Sequence, residues 1–249
     1  MNRALQNKKQ EEEFWNKVSK QRVYAAFDED EYEDCFDWSI GKRQNKKIID
    51  IGSASGISAA LLAKKGAQVL GIDLATDLVS QANNLWRDLQ TKLKFKVGDA
   101  ENLKLPSKSF DVCFFGGVIH HFPDKTKLVK ESKRILKKGG TFIAIEPNLL
   151  DFFERIEWKL ADIRNKLSPN EFPINPVDFK IFLEKNGFKN VSFKLIRSDI
   201  PFLAQLPILK IFFNRKKGFL IKKPLISLTN LFRKDSSKGN FFIIKAQKK

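Results

Sequence analysis

The chain is 249 residues long, 42% hydrophobic and 12% aromatic, which is enough apolar material for one sizeable core and too little length for a second large independent domain. Its two cysteines, Cys35 and Cys113, stand far apart with no CxxC pair, which excludes a disulfide framework or thiolate metal site and points to a reducing cytoplasm. The N-terminus lacks a secretory apolar region, and no run approaches the roughly 18 uncharged apolar residues of a spanning helix, so neither export nor membrane insertion is expected. The net charge of +17 gathers at the end, where twelve basic residues from Ile200 onward face one acid, Asp235. Such asymmetry points to an anionic partner, nucleic acid or an anionic lipid surface.

Residues 1–46 read as a helical leader: a charged helix over 1–20, then the acidic run Asp28 to Asp34, a loop or helix start too charged for core and expected at the sheet edge. From Lys47 short β-rich apolar runs alternate with helical stretches, the pattern of repeated βα units around a parallel sheet. Strands are expected at 47–51, 68–72, 93–97, 111–115 and 141–145, with helices near 56–65, 76–90 and 124–137. Gly139-Gly140 is expected to stop the last of these helices. A helix over 149–167 places Phe152, Phe153, Ile156, Leu160 and Ile163 on one face. Pro169, Pro173 and Pro176 then break the chain before a helix at 177–186, closed by Gly187, and strands at 191–197 and 240–246.

The run Ile48-Ile49-Asp50-Ile51-Gly52-Ser53-Ala54-Ser55-Gly56 takes a buried strand through a small-residue turn into a helix. Small residues let backbone approach a ligand, and the helix N-terminus offers unbonded N–H groups to a carboxylate or phosphate. A dinucleotide fingerprint would need glycines where Ala54 and bulky Ile57 stand, which argues against NAD. Val69-Leu70-Gly71-Ile72-Asp73 ends a second strand on an acid 23 residues beyond Asp50, a carboxylate suited to accept hydrogen bonds from ribose hydroxyls. Val97-Gly98-Asp99-Ala100 follows the third strand, and Ser109 to Gly117 forms the fourth, with Gly116 at the carboxyl end where open α/β sheets bind ligands.

Taken in order from Lys47 to Asn148, these segments resemble the class I S-adenosylmethionine-dependent methyltransferases, specifically the small-molecule group that includes those of quinone biosynthesis. The resemblance implies an α/β fold, a Rossmann-like seven-stranded, mostly parallel sheet with helices on both faces, here with an insertion before the last strand. It gives 47–249 as the methyltransferase domain, 149–190 as substrate-lid helices and 198–239 as a basic, apolar insertion. The implied cofactor is S-adenosyl-L-methionine. Gly52, Ser53, Ala54 and Gly56 would hold its methionine part, Asp50 would orient its ammonium group, Asp73 the ribose, Leu74 the adenine face, and Asp99 and Ala100 the adenine edge, with Gly116 beside them. Ala54 departs from the family's middle glycine.

His120 and His121 follow the fourth strand, near where a methyl group would sit. Either could act as a general base for a hydroxyl acceptor, or both could be structural, as His-His-Phe-Pro recurs in this group whatever the acceptor. These are the only histidines, and no carboxylate pair stands at ligand spacing with them, so no metal is expected. The acceptor pocket is expected from Phe14-Trp15, the helix at 149–167 and the tail.

The insertion alternates bulky apolar residues with Lys and Arg, which suits a peripheral contact of residues 200–232 with the inner face of a membrane. A cap over the site or a dimer interface are the alternatives, and its long aliphatic runs disfavour nucleic acid. The composite expectation is a methyltransferase for an apolar or lipid-linked small molecule. An RNA methyltransferase or a non-catalytic cofactor-binding scaffold stand as competitors.

Overall fold

A computed structural model describes residues 8–19, 29–163, 167–168, 170–196 and 239–249. The β-rich runs become seven strands: β1 (Lys47–Ile51), β2 (Gln68–Asp73), β3 (Leu93–Val97), β4 (Phe110–Gly116), β5 (Leu136–Pro147), β6 (Phe188–Ile196) and β7 (Phe241–Lys248). They form one sheet in the order β3-β2-β1-β4-β5-β7-β6. The pairs among β1 to β5 are parallel, and β7 runs antiparallel to both β5 and β6. Strand order reverses between β1 and β4, which opens a crevice at their carboxyl ends, where ligands bind in such sheets.

Seven helices are described: α1 (Lys8–Ser19), α2 (Glu29–Ser39), α3 (Ile57–Lys64), α4 (Thr76–Leu85), α5 (Thr126–Ile135), α6 (Phe152–Ile163) and α7 (Pro176–Lys185). Both faces of the sheet are covered, which is why the central strands read as nearly unbroken apolar runs. On one face Ile49, Phe115, Phe142 and Phe242 pack with Leu128 of α5 and Phe179 of α7. On the other, Ile48, Phe114, Ile143 and Ile243 pack with Leu62 of α3 and Val79 of α4. Asn175 caps α7, its side chain accepting from the N–H of Val177, with Pro176 in the first turn where its missing donor does no harm.

Two sequence expectations are corrected. The acidic run does start a helix, but it is not too charged for core: in α2, Tyr32, Cys35 and Phe36 fall on one helical face and are buried, Phe36 against Phe114 of central strand β4, while Glu29, Asp30, Asp34 and Asp37 are exposed. Three apolar side chains at helical spacing outweigh the charge around them. Gly139-Gly140 does not stop α5 either. The helix ends at Ile135, and the extended Leu136 starts β5 at once, itself fully buried. The glycines lie in a bulge between the Phe110–Leu136 and Val112–Thr141 pairs, Gly139 with φ +74°. The apolar face assigned to 149–167 is only partly covered, with Phe152 58% and Ile163 68% exposed among the described residues. The helix itself occupies Phe152–Ile163, and the 198–239 insertion falls, apart from Gly239, outside the described residues.

Candidate active site

At the end of β1 the chain turns back sharply, and the N–H groups of Gly52 and Ser53 both donate to the carbonyl of Ile72 on β2. Gly52 has φ +71°, and a Cβ there would stand 2.3 Å from Cγ2 of Val118, so only glycine fits between β1 and the loop after β4. Ala54 takes the left-handed region too, at φ +46°, where a side chain is strained. No side chain caps α3, so its first N–H groups point out from the turn.

Beneath this turn lies Asp50, 1% exposed, whose Oδ2 accepts from Ser58 Oγ at 2.5 Å. Its Oδ1 and the hydroxyl of Ser53 are buried without a hydrogen-bond partner. Burial pushes the Asp50 carboxyl up to about 7, against the bond from Ser58 and with the nearby Asp73 charge adding to the rise. Asp73 links the two turns: Oδ2 accepts from the N–H of Ala54 at 2.8 Å and Oδ1 from the N–H of Ala75 at 2.9 Å. Burial raises its pKa as well, opposed by those backbone donors. Asp99 accepts from the N–H of Glu101 at Oδ1 and from Lys8 Nζ of the leader at Oδ2.

A cleft enclosing about 940 Å³ of empty space, open solvent at its mouth included, lies beside these groups. Of the ten residues assigned to the cofactor from sequence, Gly52, Ser53, Ala54, Asp73, Leu74, Asp99, Ala100 and Gly116 stand on its wall. Asp50 lies below the turn, and Gly56, packed against Phe95, lies behind it. The wall is completed by Trp15 and Glu12 of α1, Tyr32 of α2, and Val118, His121 and Phe122. Trp15 stands on the wall, and among the described residues neither Phe14 nor any residue of α6 does.

The two histidines part company. His120 Nδ1 donates to Glu146 at 2.6 Å, and the fully buried Glu146 also accepts from the N–H groups of Val118, Ile119 and His120, so that carboxylate pins the whole turn after β4. His121 lines the cleft, with its Nδ1 2.9 Å from Ser168 Oγ. Ser168 in turn donates to Glu11 of α1 at 2.8 Å, and Asn170 gives the same oxygen its backbone and side-chain N–H groups. Burial, with His120 beside it, holds the His121 pKa well below 6.5.

Residue patterns did not single out Lys8, Glu11, Ser168 or Asn170. Glu11 is one of three consecutive glutamates, and only the fold brings it to residues more than 150 positions away.

Residues 49–144 match the family model described as "Methyltransferase domain". The chain carries a class I S-adenosylmethionine-dependent methyltransferase domain. Its sequence is 30% identical over 105 residues to the uncharacterized methyltransferase YcgJ of Bacillus subtilis, covering 42% of each chain. It is 29% identical over 182 residues to the ubiquinone/menaquinone biosynthesis C-methyltransferase UbiE of Rickettsia rickettsii, covering 63% of this chain and 73% of that protein. Phosphoethanolamine N-methyltransferase 2 of Haemonchus contortus, solved with S-adenosyl-L-methionine, shares the fold at a TM-score of 0.65 and 17% identity, covering 94% of this chain and 56% of that one. The chain thus spans about half the length of some of the proteins it matches. The domain fits its cofactor physically: the unpartnered Asp50 oxygen and Ser53 hydroxyl beneath a glycine cradle suit an ammonium and carboxylate, and the wall carries four acids against one lysine, favourable to a sulfonium.

Proposed function

We propose that the chain methylates an apolar or lipid-linked small molecule at the cytosolic face of a membrane. The observation that carries this reading is the cleft itself, whose wall joins the glycine cradle after β1 and Asp73 after β2 to the aromatic side chains of Trp15, Tyr32 and Phe122. The donor, when bound, supplies an already activated methyl group, so the protein's work is alignment and exclusion of water. Asp50 orients the ammonium group from below the turn, the Gly52–Gly56 backbone holds the methionine part, Asp73 accepts the ribose hydroxyls, and Asp99 with Ala100 reads the adenine edge against Leu74. Helix α1 contributes Lys8, Glu11, Glu12 and Trp15 to the cleft wall and is tied down by Lys8 to Asp99 and by Glu11 to Ser168.

Two features support an apolar acceptor. Leu150, Phe152 and Ile163 remain 49%, 58% and 68% exposed along α6 and the turn before it, a surface suited to an acyl boundary. The side chain of Asn148 donates to the carbonyl of Gly239, which brings this surface next to the end of the basic insertion. The names of the rickettsial relatives, drawn from quinone biosynthesis, point the same way. Transfer of labelled methyl from S-adenosylmethionine into a lipid extract of the source cells tests the reading. Label that enters only RNA would overturn it.

A further inference from the structure

Glu11, His121 and Ser168 come from three distant parts of the chain and are 3%, 7% and 4% exposed, yet they form one continuous hydrogen-bonded line into the cleft. The chemistry of each member fixes the direction of every proton. Glu11 receives four donors: Ser168 Oγ and the two N–H groups of Asn170 at Oε1, and Trp15 Nε1 at Oε2. It is therefore an acceptor throughout. A serine hydroxyl has a single proton, and Ser168 gives it to Glu11. Ser168 can then only accept from His121, so His121 Nδ1 carries a hydrogen and the lone pair of the ring sits on Nε2.

We infer that His121 Nε2 is the general base for a hydroxyl acceptor, with Ser168 and Glu11 as positioning residues. The inference rests on the reading of the cleft as a methyl-transfer site. The transfer breaks the carbon–sulfur bond of the donor and forms a carbon–oxygen bond. The hydroxyl proton passes to Nε2, so the positive charge lost from sulfur appears on imidazolium. Two carboxylates stand within reach of that charge, Glu11 Oε2 at 3.7 Å and Glu171 Oε1 at 3.8 Å from Nδ1. Burial keeps the ring neutral near pH 7, able to accept a proton, and two carboxylates stand ready to balance it. A methylated alcohol cannot keep the hydroxyl proton, so that proton must leave during attack. Trp15, four residues from Glu11 on the same helix, meets the His121 ring edge-on at 5.5 Å, so the helix that supplies Glu11 also packs against the base.

The test needs no knowledge of the acceptor. Imidazole nitrogen spectra of the full chain saturated with S-adenosylhomocysteine report the tautomer and titration of each ring, and a His120→Asn variant assigns the two histidines. The expected result is a neutral His121 at pH 7 as the Nδ1–H form. Ser168→Ala and Glu11→Gln should shift it toward Nε2–H, and Ser168→Thr, which keeps the hydroxyl, should preserve it. Affinity for S-adenosylhomocysteine should stay within about threefold in Ser168→Ala and Ser168→Thr. An Nε2–H ring in the parent, or a tautomer indifferent to both the Ser168→Ala truncation and loss of the Glu11 charge, overturns the base. No binding of S-adenosylhomocysteine overturns the underlying reading instead. With carbon-labelled donor and lipid extract, the carbon shift of the transferred methyl should be that of a methyl ether, and a methyl on nitrogen or carbon overturns the acceptor class.

Discussion

Lys8 Nζ stands 2.5 Å from Asp99 Oδ2, so a cation of the leader helix occupies the very carboxylate that the methyltransferase resemblance assigns to adenine. The same ammonium reaches Glu101 at 2.7 Å, and with Lys8 and Asp99 about one third exposed the bond is a modest one. Lys8→Ala is expected to relieve the competition and tighten S-adenosylhomocysteine binding by up to about 1 kcal/mol, roughly fivefold, with a faster on-rate by stopped flow. Weaker binding would mean that the lysine helps to hold the ligand.

Asp73 serves both the turn and the nucleoside. Asp73→Ala should weaken S-adenosylhomocysteine binding by about 1.5–3 kcal/mol, the range for hydrogen bonds to a charged group. It should also lower the thermal midpoint, because the N–H groups of Ala54 and Ala75 lose their acceptor. A folded variant with an unchanged dissociation constant by calorimetry would remove Asp73 from the site.

Asp50 carries a pH signature. Its carboxyl, pushed up to about 7 from 3.8, keeps a proton in the folded protein over a range in which the unfolded chain has released it. That group's contribution to stability is full below 3.8 and is lost as pH rises through 7. Asp50→Asn should therefore gain stability over the unliganded parent by up to roughly 1.4 kcal/mol per pH unit across that window, levelling off above it. Ligand affinity should run the other way: the parent should bind S-adenosylhomocysteine more tightly as pH rises through 7, and the variant should lose that trend. Denaturant melts and calorimetry across the window check both halves.

How much of this was readable beforehand follows from what kind of information each residue carries. Asp50, Asp73 and Asp99 announce themselves because each ends or follows a strand at family spacing, and strand ends in this fold share one edge. All seven strands were legible, with ends off by a few residues where β5 and β6 extend past their most apolar cores. Burial of Tyr32 and Phe36 was hidden by the acids between them, although the spacing was there to see. Glu11 and Ser168 could not have been found: nothing in a lone serine or a glutamate triplet records a contact across 157 positions.

Ala54 sits at φ +46° where the family pattern that this turn resembles has glycine, and a left-handed residue with a Cβ costs about 1–2 kcal/mol. Part of that is offset by the greater freedom of glycine in the unfolded chain. Ala54→Gly is expected to raise stability by about 0.5–1 kcal/mol in urea melts, with cofactor affinity equal or better. A loss of stability would show that the methyl group packs usefully.

The membrane reading makes an electrostatic prediction. Arg215, Lys216, Lys217, Lys222 and Lys223 lie outside the described residues, but their charge is a fact of sequence. Each basic residue near an anionic surface contributes about 1 kcal/mol, so replacing all five with Glu should release the protein from anionic vesicles in a sedimentation assay. Salt should weaken the parent's attachment, since the attraction fades over about 8 Å at physiological ionic strength. A parent that never sediments with anionic vesicles leaves the cap or dimer interface as the role of that segment.

Titration calorimetry of the purified chain with S-adenosylhomocysteine, run beside the Asp73→Ala variant, tests the central claim most directly. The account predicts one binding site per chain in the parent, with affinity about ten- to a hundredfold weaker in the variant. No heat and no thermal shift in the parent at millimolar ligand would contradict it.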